Sequence, residues 1–595
     1  MAAQNIVVDF PTLVPTDTTA DLYQGMNELH NIAWVRQARH KLYSVDPVSG
    51  SYILKVLFSM SGSGPPSIVI RDEYYRALQD CLLFMDGTND FDTPYTADEA
   101  NCLYFDAEDV RSSSTSGEAS GTPTLIPKCP SEIDWKRQPD GDAQNRTFVV
   151  TGSPGIGKTL WLYFVLVERL LRRQHTFLQF TKQDVFYWHS NGCTTLEIAS
   201  LKLGSLDPGY WFLIDSNTAI SDPPFIFTLS RCRFVLSASC RDQRFVWLGK
   251  LSSSNYKWIM KPTSVSEVLI MNRFQEAVND ENKLISFCDS YGSCARYVFQ
   301  CARNPKSYKR TLKAKLRKLS IRDLRDLVYN GDQSLPVKEE VSHLVVGIYP
   351  GPSRDDPYIT IYTPSLLTII ESQFAAEWDD KAWDLFDSFR STPQTRVPAG
   401  RILESRLHQT LAKGGQWEAN TMVAVSEGDQ NVIFSDNVAN RKRAYVKFGR
   451  GARVRSKSST SGSTPLDVHR FSFADFKKSF RETGYYRPLS QTHATYDSFV
   501  LDKKRETLVI IQSTMSTQHD VNKKGLAYLE EKWATGSFKI HYVVITDDET
   551  KTVRIPISKQ YAHLIKKKVH ICMGKADLFP VSRRFCFVKL KLVAN

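Results

Sequence analysis

The chain has 595 residues, 42% hydrophobic and 24% charged. This composition excludes fibrous, low-complexity and membrane-embedded classes, and at about 150 residues per domain it sets an expectation of roughly three to four domains. Residues 1–300 hold 27 Lys and Arg against 33 Asp and Glu, and residues 301–595 hold 49 against 31, so the halves carry −6 and +18.

A positive field confined to one half attracts a polyanion, and nucleic acid is the commonest one a soluble protein meets. A basic surface that serves solubility alone is the plainer alternative. No run of 18 or more apolar residues occurs, and the first 30 residues lack a basic start followed by an apolar block. Neither a membrane span nor an ordinary secretion signal is expected, and no membrane partner. The 11 cysteines include no CxxC pair. Cys288, Cys294 and Cys301 have no neighbouring His, so reduced, buried thiols are expected rather than zinc.

In chain order, residues 1–130 form a poorly patterned N-terminal domain that ends in a Ser, Thr, Gly and Pro-rich linker at 112–130. From Arg146 the text reads strand (RTFVV), glycine-rich turn, then an apolar helix (LWLYFVLVERLLRR). Thr176 to Phe180, Tyr210 to Ile214 and Phe234 to Leu236 are short apolar runs of the kind buried on both faces of a parallel sheet. An α/β domain over 135–310 follows, then a helical connector at 311–395 and a last domain at 396–595.

The turn at 152–159 reads GSPGIGKT and fits GxxxxGK[ST] between a strand and a helix, where phosphate-binding chemistry requires it. Gly152, Gly155 and Gly157 let backbone N–H groups turn toward a phosphate, Lys158 reaches the β and γ oxygens, and the Thr159 hydroxyl is a Mg²⁺ ligand. Asp215, at the end of the run from Tyr210, supplies the second metal-site acid. Ser216 follows where many ATPases carry a glutamate base, so binding of ATP or GTP is better supported than hydrolysis. Ser239, Arg241 and Arg296 are placed to sense the γ-phosphate, or act as plain capping or solvated residues.

In the last domain, 399–415 puts Ile402, Leu403, Leu407 and Leu411 on one helical face, with Glu404 and His408 one turn apart. Two hairpin strands are expected, Tyr496 to Leu501 and Thr507 to Ser513, followed by a helical run from Leu526 to Trp533 and a strand from Phe538 to Ile545. Antiparallel pairing brings Asp497 and Gln512 together, and with Glu404 they form a candidate Mg²⁺ site for phosphodiester cleavage. The alternative is a turn residue at Asp497 and a solvent-facing Gln512. Basic stretches at 303–318, 441–457 and 566–568, interleaved with Tyr and Phe, fit a DNA partner or serve nuclear import.

These segments, TGSPGIGKT, YWFLIDS, LSASCRDQ, YGSCARYVF, AGRILESRLHQTL and above all YDSFVLDKKRETLVIIQSTMSTQHDVNKKGL, resemble in their order the Crinkler-type and RHS-like proteins of oomycetes, fungi and other eukaryotes. The resemblance covers roughly 140 to 595. It implies an α/β multidomain protein: a P-loop NTPase with a parallel sheet joined to an α/β restriction-endonuclease-like domain. It also implies an effector delivered to a host nucleus, the producing cell's own nucleus being the alternative. It carries nucleotide binding onto Gly152, Gly157, Lys158, Thr159 and Asp215, and a nuclease centre onto Glu404, Asp497 and Gln512. Thr514 stands where such nucleases have a lysine, with His519, Lys523 or Lys524 as substitutes. Expected partners are nucleotide, DNA and a second copy of the chain. The rivals are an ATP-driven DNA motor and a nucleotide-gated switch with an inactive nuclease fold.

Overall fold

The computed structural model describes residues 17–60, 66–87, 146–182, 184–197, 209–216, 220, 224–228, 232–239, 247–248, 254–330, 344–351, 353–390, 396–428, 430–435, 442–448, 452–455, 465–471, 482–488, 496–516, 518, 521, 523–530, 538–547, 553–565 and 569–573. They form a mixed α/β protein with several sheets, and the chain divides into two units, Met1–Thr363 and Pro364–Asn595. The first unit takes in both the 1–130 segment and the 135–310 segment, which the sequence pattern separates. The linker at 112–130 and nearly all of the 457–465 loop lie outside the described residues.

In the first unit, β1 (Tyr43–Val45), β2 (Tyr52–Lys55) and β3 (Ser67–Val69) make a small antiparallel sheet, followed by the helix Asp72–Met85. The main sheet contains β4 (Arg146–Thr151), β5 (Thr176–Gln179), β6 (Asp184–His189), β7 (Gly192–Glu197), β8 (Trp211–Asp215), β9 (Arg233–Ser237) and β10 (Ser254–Ile259), in the order β10-β4-β9-β8-β5-β6-β7. From β10 to β5 every pairing is parallel. β8 and β9 are buried at every residue, as strands covered on both faces must be. The expectation of a parallel sheet is corrected at one edge. Only residues 180–183 and 190–191 link β5, β6 and β7, too few for a crossover, and these strands pair antiparallel.

One face of that sheet is covered by the helix Lys158–Leu170, buried from Trp161 onward, and by the N-terminal segment. Met26, Leu29, Trp34, Phe58, Tyr74 and Phe84 share one core with Phe148, Trp161, Phe164 and Leu213. At about 1.5–3 kcal/mol for each large side chain removed from water, this shared core binds 17–87 to the sheet. The segment 311–395 is not wholly helical: β11 (Val346–Pro350) and β12 (Pro357–Ile361) pair antiparallel after the helices Pro305–Leu316 and Ile321–Asn330.

The second unit begins with the helices Pro364–Gln373, Ala375–Arg390 and Arg396–Ala412. Its strands are β13 (Gly415–Thr421), β14 (Val423–Glu427), β15 (Asn431–Ser435), β16 (Lys442–Phe448), β17 (Arg453–Arg455), β18 (Val468–Phe471), β19 (Gly484–Pro488), β20 (Ser498–Asp502), β21 (Thr507–Thr514), β22 (Lys539–Thr546), β23 (Arg554–Ser558) and β24 (Val569–Met573). Nine of them order as β17-β16-β13-β24-β22-β21-β20-β19-β18, and β14-β15-β23 form a second sheet. β20 and β21 make the expected hairpin, with Ser498 opposite Ile511. The following helix is Lys523–Leu529, three residues earlier than its expected start, and β22 returns parallel to β21.

Candidate functional sites

β4 ends at Thr151 and the helix begins at Lys158, so residues 152–157 must reverse the chain in six residues. Gly155 and Gly157 do this with φ of +78° and +99°, in the left-handed region that side chains disfavour. A Cβ at Gly157 would sit 2.3 Å from the Tyr74 hydroxyl, and one at Gly155 would sit 2.8 Å from Arg296 Cβ. Lys158 Nζ lies in the loop, donating to the carbonyls of Gly152 at 3.0 Å and Ser153 at 2.8 Å. The Thr159 hydroxyl donates to both oxygens of Asp215, at 2.9 and 3.0 Å. Asp215 comes from β8, one strand beyond β9, which lies beside β4. A hydroxyl and a carboxylate brought side by side at the head of a helix are the hard oxygen donors Mg²⁺ takes.

Ser239 follows β9, and its Oγ is buried without a hydrogen-bond partner among the described residues. Arg296 is exposed, and its backbone N–H donates to Gly155 O at 3.4 Å, which puts it beside the loop. Arg241 lies outside the described residues. Ser216 is spent on structure, its hydroxyl donating to Ile220 O at 2.9 Å.

Sequence reasoning missed the residues that hold the loop from outside. Tyr74 Oη donates to Gly157 O at 2.8 Å, and Arg71 Nη1 donates to Ile156 O at 3.1 Å. Arg71 is buried; its Nε pairs with Glu267 Oε1 at 2.9 Å, and its Nη2 bonds the carbonyls of Lys261 and Pro262. Glu267 is fixed in turn by a capping box with Ser264. The Ile348 backbone N–H donates to Ser153 Oγ at 2.8 Å, and Cys294 Sγ to Pro154 O at 3.2 Å. These partners stand from 80 to nearly 200 residues away in sequence, so no local pattern signals them.

In the second unit, the hairpin register carries Asp497 one residue beyond β20, where its N–H donates to Ile511 O at 2.9 Å. Asp497 Oδ1 accepts from Gln512 Nε2 at 2.8 Å, and Oδ2 accepts from the Ser513 N–H at 2.6 Å and the Ser513 hydroxyl at 2.5 Å. Gln512 is 7% exposed, and its Oε1 is buried with no partner among the described residues. Glu404, on the helix Arg396–Ala412, accepts from His408 Nε2 at 3.1 Å, with Arg487 Nη2 at 4.0 Å. His408 Nδ1 meets Tyr485 Oη at 2.6 Å, and Tyr485 donates to Ser498 Oγ at 2.8 Å, next to Asp497. Glu404, Asp497 and Gln512 are therefore brought to one place, with His408 one turn from Glu404 as its spacing implies, while Tyr485 and Arg487 were not anticipated there.

Burial pushes both carboxyls up. At Glu404 the hydrogen bond and charge of His408, with Arg487 and Arg401, outweigh burial and hold the group below the usual value. At Asp497 the negative charge of Glu404 adds to burial, and the carboxyl is pushed up to about 7 against the hydrogen bonds from Ser513 and Gln512. One of two neighbouring carboxylates resists ionising until a cation balances them. Among the described residues no three His, Cys, Asp or Glu side chains form a metal-binding group. The donors here are two carboxylates and the orphaned Gln512 Oε1, an all-oxygen set that suits Mg²⁺.

Thr514, at the position of the usual lysine, is 7% exposed, and its Oγ accepts from the Ser516 N–H at 3.1 Å. Lys523 is exposed, and His519 lies outside the described residues. Of the basic stretches, 303–318 is described throughout, 441–457 only in part, and 566–568 not at all. No family model and no curated protein matches this chain. No helix among the described residues is long and apolar enough to cross a membrane.

Proposed function

We propose that this chain is a Crinkler-type effector in which a P-loop NTPase domain controls a Mg²⁺-dependent DNA endonuclease domain of the restriction-endonuclease kind. In this reading it acts in the nucleus of a host cell as a homo-oligomer. The observation that carries the catalytic half is the meeting of Glu404, Asp497 and the unpartnered Gln512 Oε1 from three separate stretches of chain. The nucleotide half rests on Lys158 held in the glycine-rich loop and on the Thr159–Asp215 contact.

Glu404, Asp497 and Gln512 would hold the Mg²⁺, which supplies Lewis acidity and a more acidic bound water at a phosphodiester. The remaining residues set up that centre. His408 fixes the Glu404 carboxylate through Nε2, with Tyr485 orienting the ring from Nδ1. Ser513 and the Gln512 amide hold Asp497 from the hairpin, leaving Gln512 Oε1 for the ion. Arg487 offers positive charge beside Glu404 where Thr514 offers none.

Nicking of supercoiled plasmid with Mg²⁺ tests this. Asp497→Ala is expected to lose more than the roughly 10- to 100-fold that changes behind the metal ligands cost; cleavage that survives it sinks the proposed centre. Lys158→Ala is expected to abolish MgATP binding measured by calorimetry, and normal binding by that variant sinks the nucleotide reading.

The engagement of Thr514 with Ser516 and the exposure of Lys523 favour a second reading, a nucleotide-gated DNA-binding protein or motor whose nuclease fold is inactive. It predicts duplex binding by the wild type without nicking.

A further inference from the structure

The helices Glu281–Tyr291 and Pro305–Leu316 flank a cleft of about 460 Å³ in the first unit. Lys283, Arg303, Lys306 and Lys309 line it over a floor of Phe287 and Tyr291, and none of its lining residues is acidic. Lys283, Lys306 and Lys309 are exposed, and their ammonium groups have no ion pair among the described residues. Arg303 is anchored at one edge, Nε donating to Asn279 Oδ1 at 2.6 Å and Nη2 to Ala277 O at 3.0 Å, which leaves Nη1 uncommitted. Asp280 lines an adjoining recess, where its carboxylate accepts the Lys283 backbone N–H at 3.0 Å.

Four cations around one cleft with no acidic lining residue make a locally positive field, felt over the roughly 8–10 Å at which salt screens charge. An anion is drawn to that field. Its shape follows from what lies beyond the cleft. Tyr308, Leu312 and Leu316 are the buried face of the helix Pro305–Leu316, while Lys306, Arg310, Lys313 and Arg317 recur at helical spacing on another face. At 1.5 Å per residue that line runs about 16 Å, longer than a compact anion filling the cleft and suited to a polymer with regularly spaced charges. Phe287 and Tyr291 are buried, so no ring is offered for a base to stack on.

We propose that this cleft seats the phosphate backbone of duplex DNA without reading its sequence, so that the nucleotide-binding unit itself grips the nucleic acid. The inference rests on the nucleic-acid part of the proposed function and adds a location to it.

The test is fluorescence anisotropy of a labelled duplex of about 20 base pairs with the full-length protein in Mg²⁺-free buffer over a series of salt concentrations. Lys306→Ala/Lys309→Ala is expected to bind about tenfold more weakly, with the slope of log K against log salt shallower by about two, one phosphate contact for each lysine. Lys306→Arg/Lys309→Arg is expected to keep both, and MgATP affinity is expected to match wild type in every variant. Unchanged affinity and slope in the alanine variant overturn the inference. So does a weaker affinity with an unchanged slope, which marks damage to the fold, or displacement of inorganic tripolyphosphate rather than duplex by the substitutions, which marks a small-anion site. A wild type that binds no duplex overturns the nucleic-acid reading as well, whereas a wild type that binds and an alanine variant that binds equally overturn only the cleft.

Discussion

The Tyr74 hydroxyl rests on the carbonyl of Gly157, the residue at which the glycine-rich loop becomes a helix. Tyr74→Phe keeps the ring and deletes one hydrogen bond worth about 1 kcal/mol, leaving the Gly157 carbonyl with one partner fewer. MgATP affinity by titration calorimetry is expected to fall about fivefold. Gly157→Ala is expected to cost more, because it combines a φ of +99° with a Cβ placed 2.3 Å from that hydroxyl. Asp80 gives a pH effect. Burial pushes its carboxyl from the ordinary 3.8 up to about 6, against the Trp258 Nε1 bond of 2.7 Å. Below about pH 4 it is protonated in both the folded and the unfolded chain; between there and pH 6 the unfolded chain releases its proton first, so stability falls as pH rises through that window and then levels. Asp80→Asn is expected to raise the melting temperature at pH 8 relative to wild type by more than at pH 4. Placements set by a residue's own backbone or a fixed spacing were legible in the letters: the turn at the loop glycines, and Lys158 and Thr159 at the start of the helix. Arg71, Tyr74 and Tyr485 were not, since each matters through a partner far along the chain, whereas the spacing of His408 from Glu404 was readable and its bond to Tyr485 was not.

Strands and helices were readable where burial imposed a period. β4, β8, β9 and the β20–β21 hairpin stand where apolar runs placed them, because a strand covered on both faces has little room for polar residues. The antiparallel edge at β6 and β7 depended instead on connection length, and the β11–β12 pair on two short runs inside a stretch read as helical. The second-unit centre depends on three elements keeping register, since Glu404 comes from a helix and Asp497 and Gln512 from the hairpin. His408 couples that helix to β19 through Tyr485, and Tyr485 to β20 through Ser498. His408→Ala is expected to lower plasmid nicking by about 10- to 100-fold while Mg²⁺-dependent activity stays measurable, as for partners that orient a metal ligand. An equal rate in the variant rules out that coupling.

At the scale of the whole chain, the units Met1–Thr363 and Pro364–Asn595 have separate cores. Two transitions are expected in scanning calorimetry. MgATP at about 100 times its dissociation constant adds roughly 2.7 kcal/mol to whatever binds it, so one transition is expected to rise by several degrees and the other to stay. A single transition shifted as one body would show that the units melt together.

The first unit's core carries one more consequence. Trp161 and Phe164, on the helix that starts at Lys158, are covered in part by side chains drawn from 17–87. A proteolytic cut or a late translation start that removed those residues would not yield a merely shortened version of the same fold. It would bare a greasy slab of aromatic rings, and the shortened product would clump.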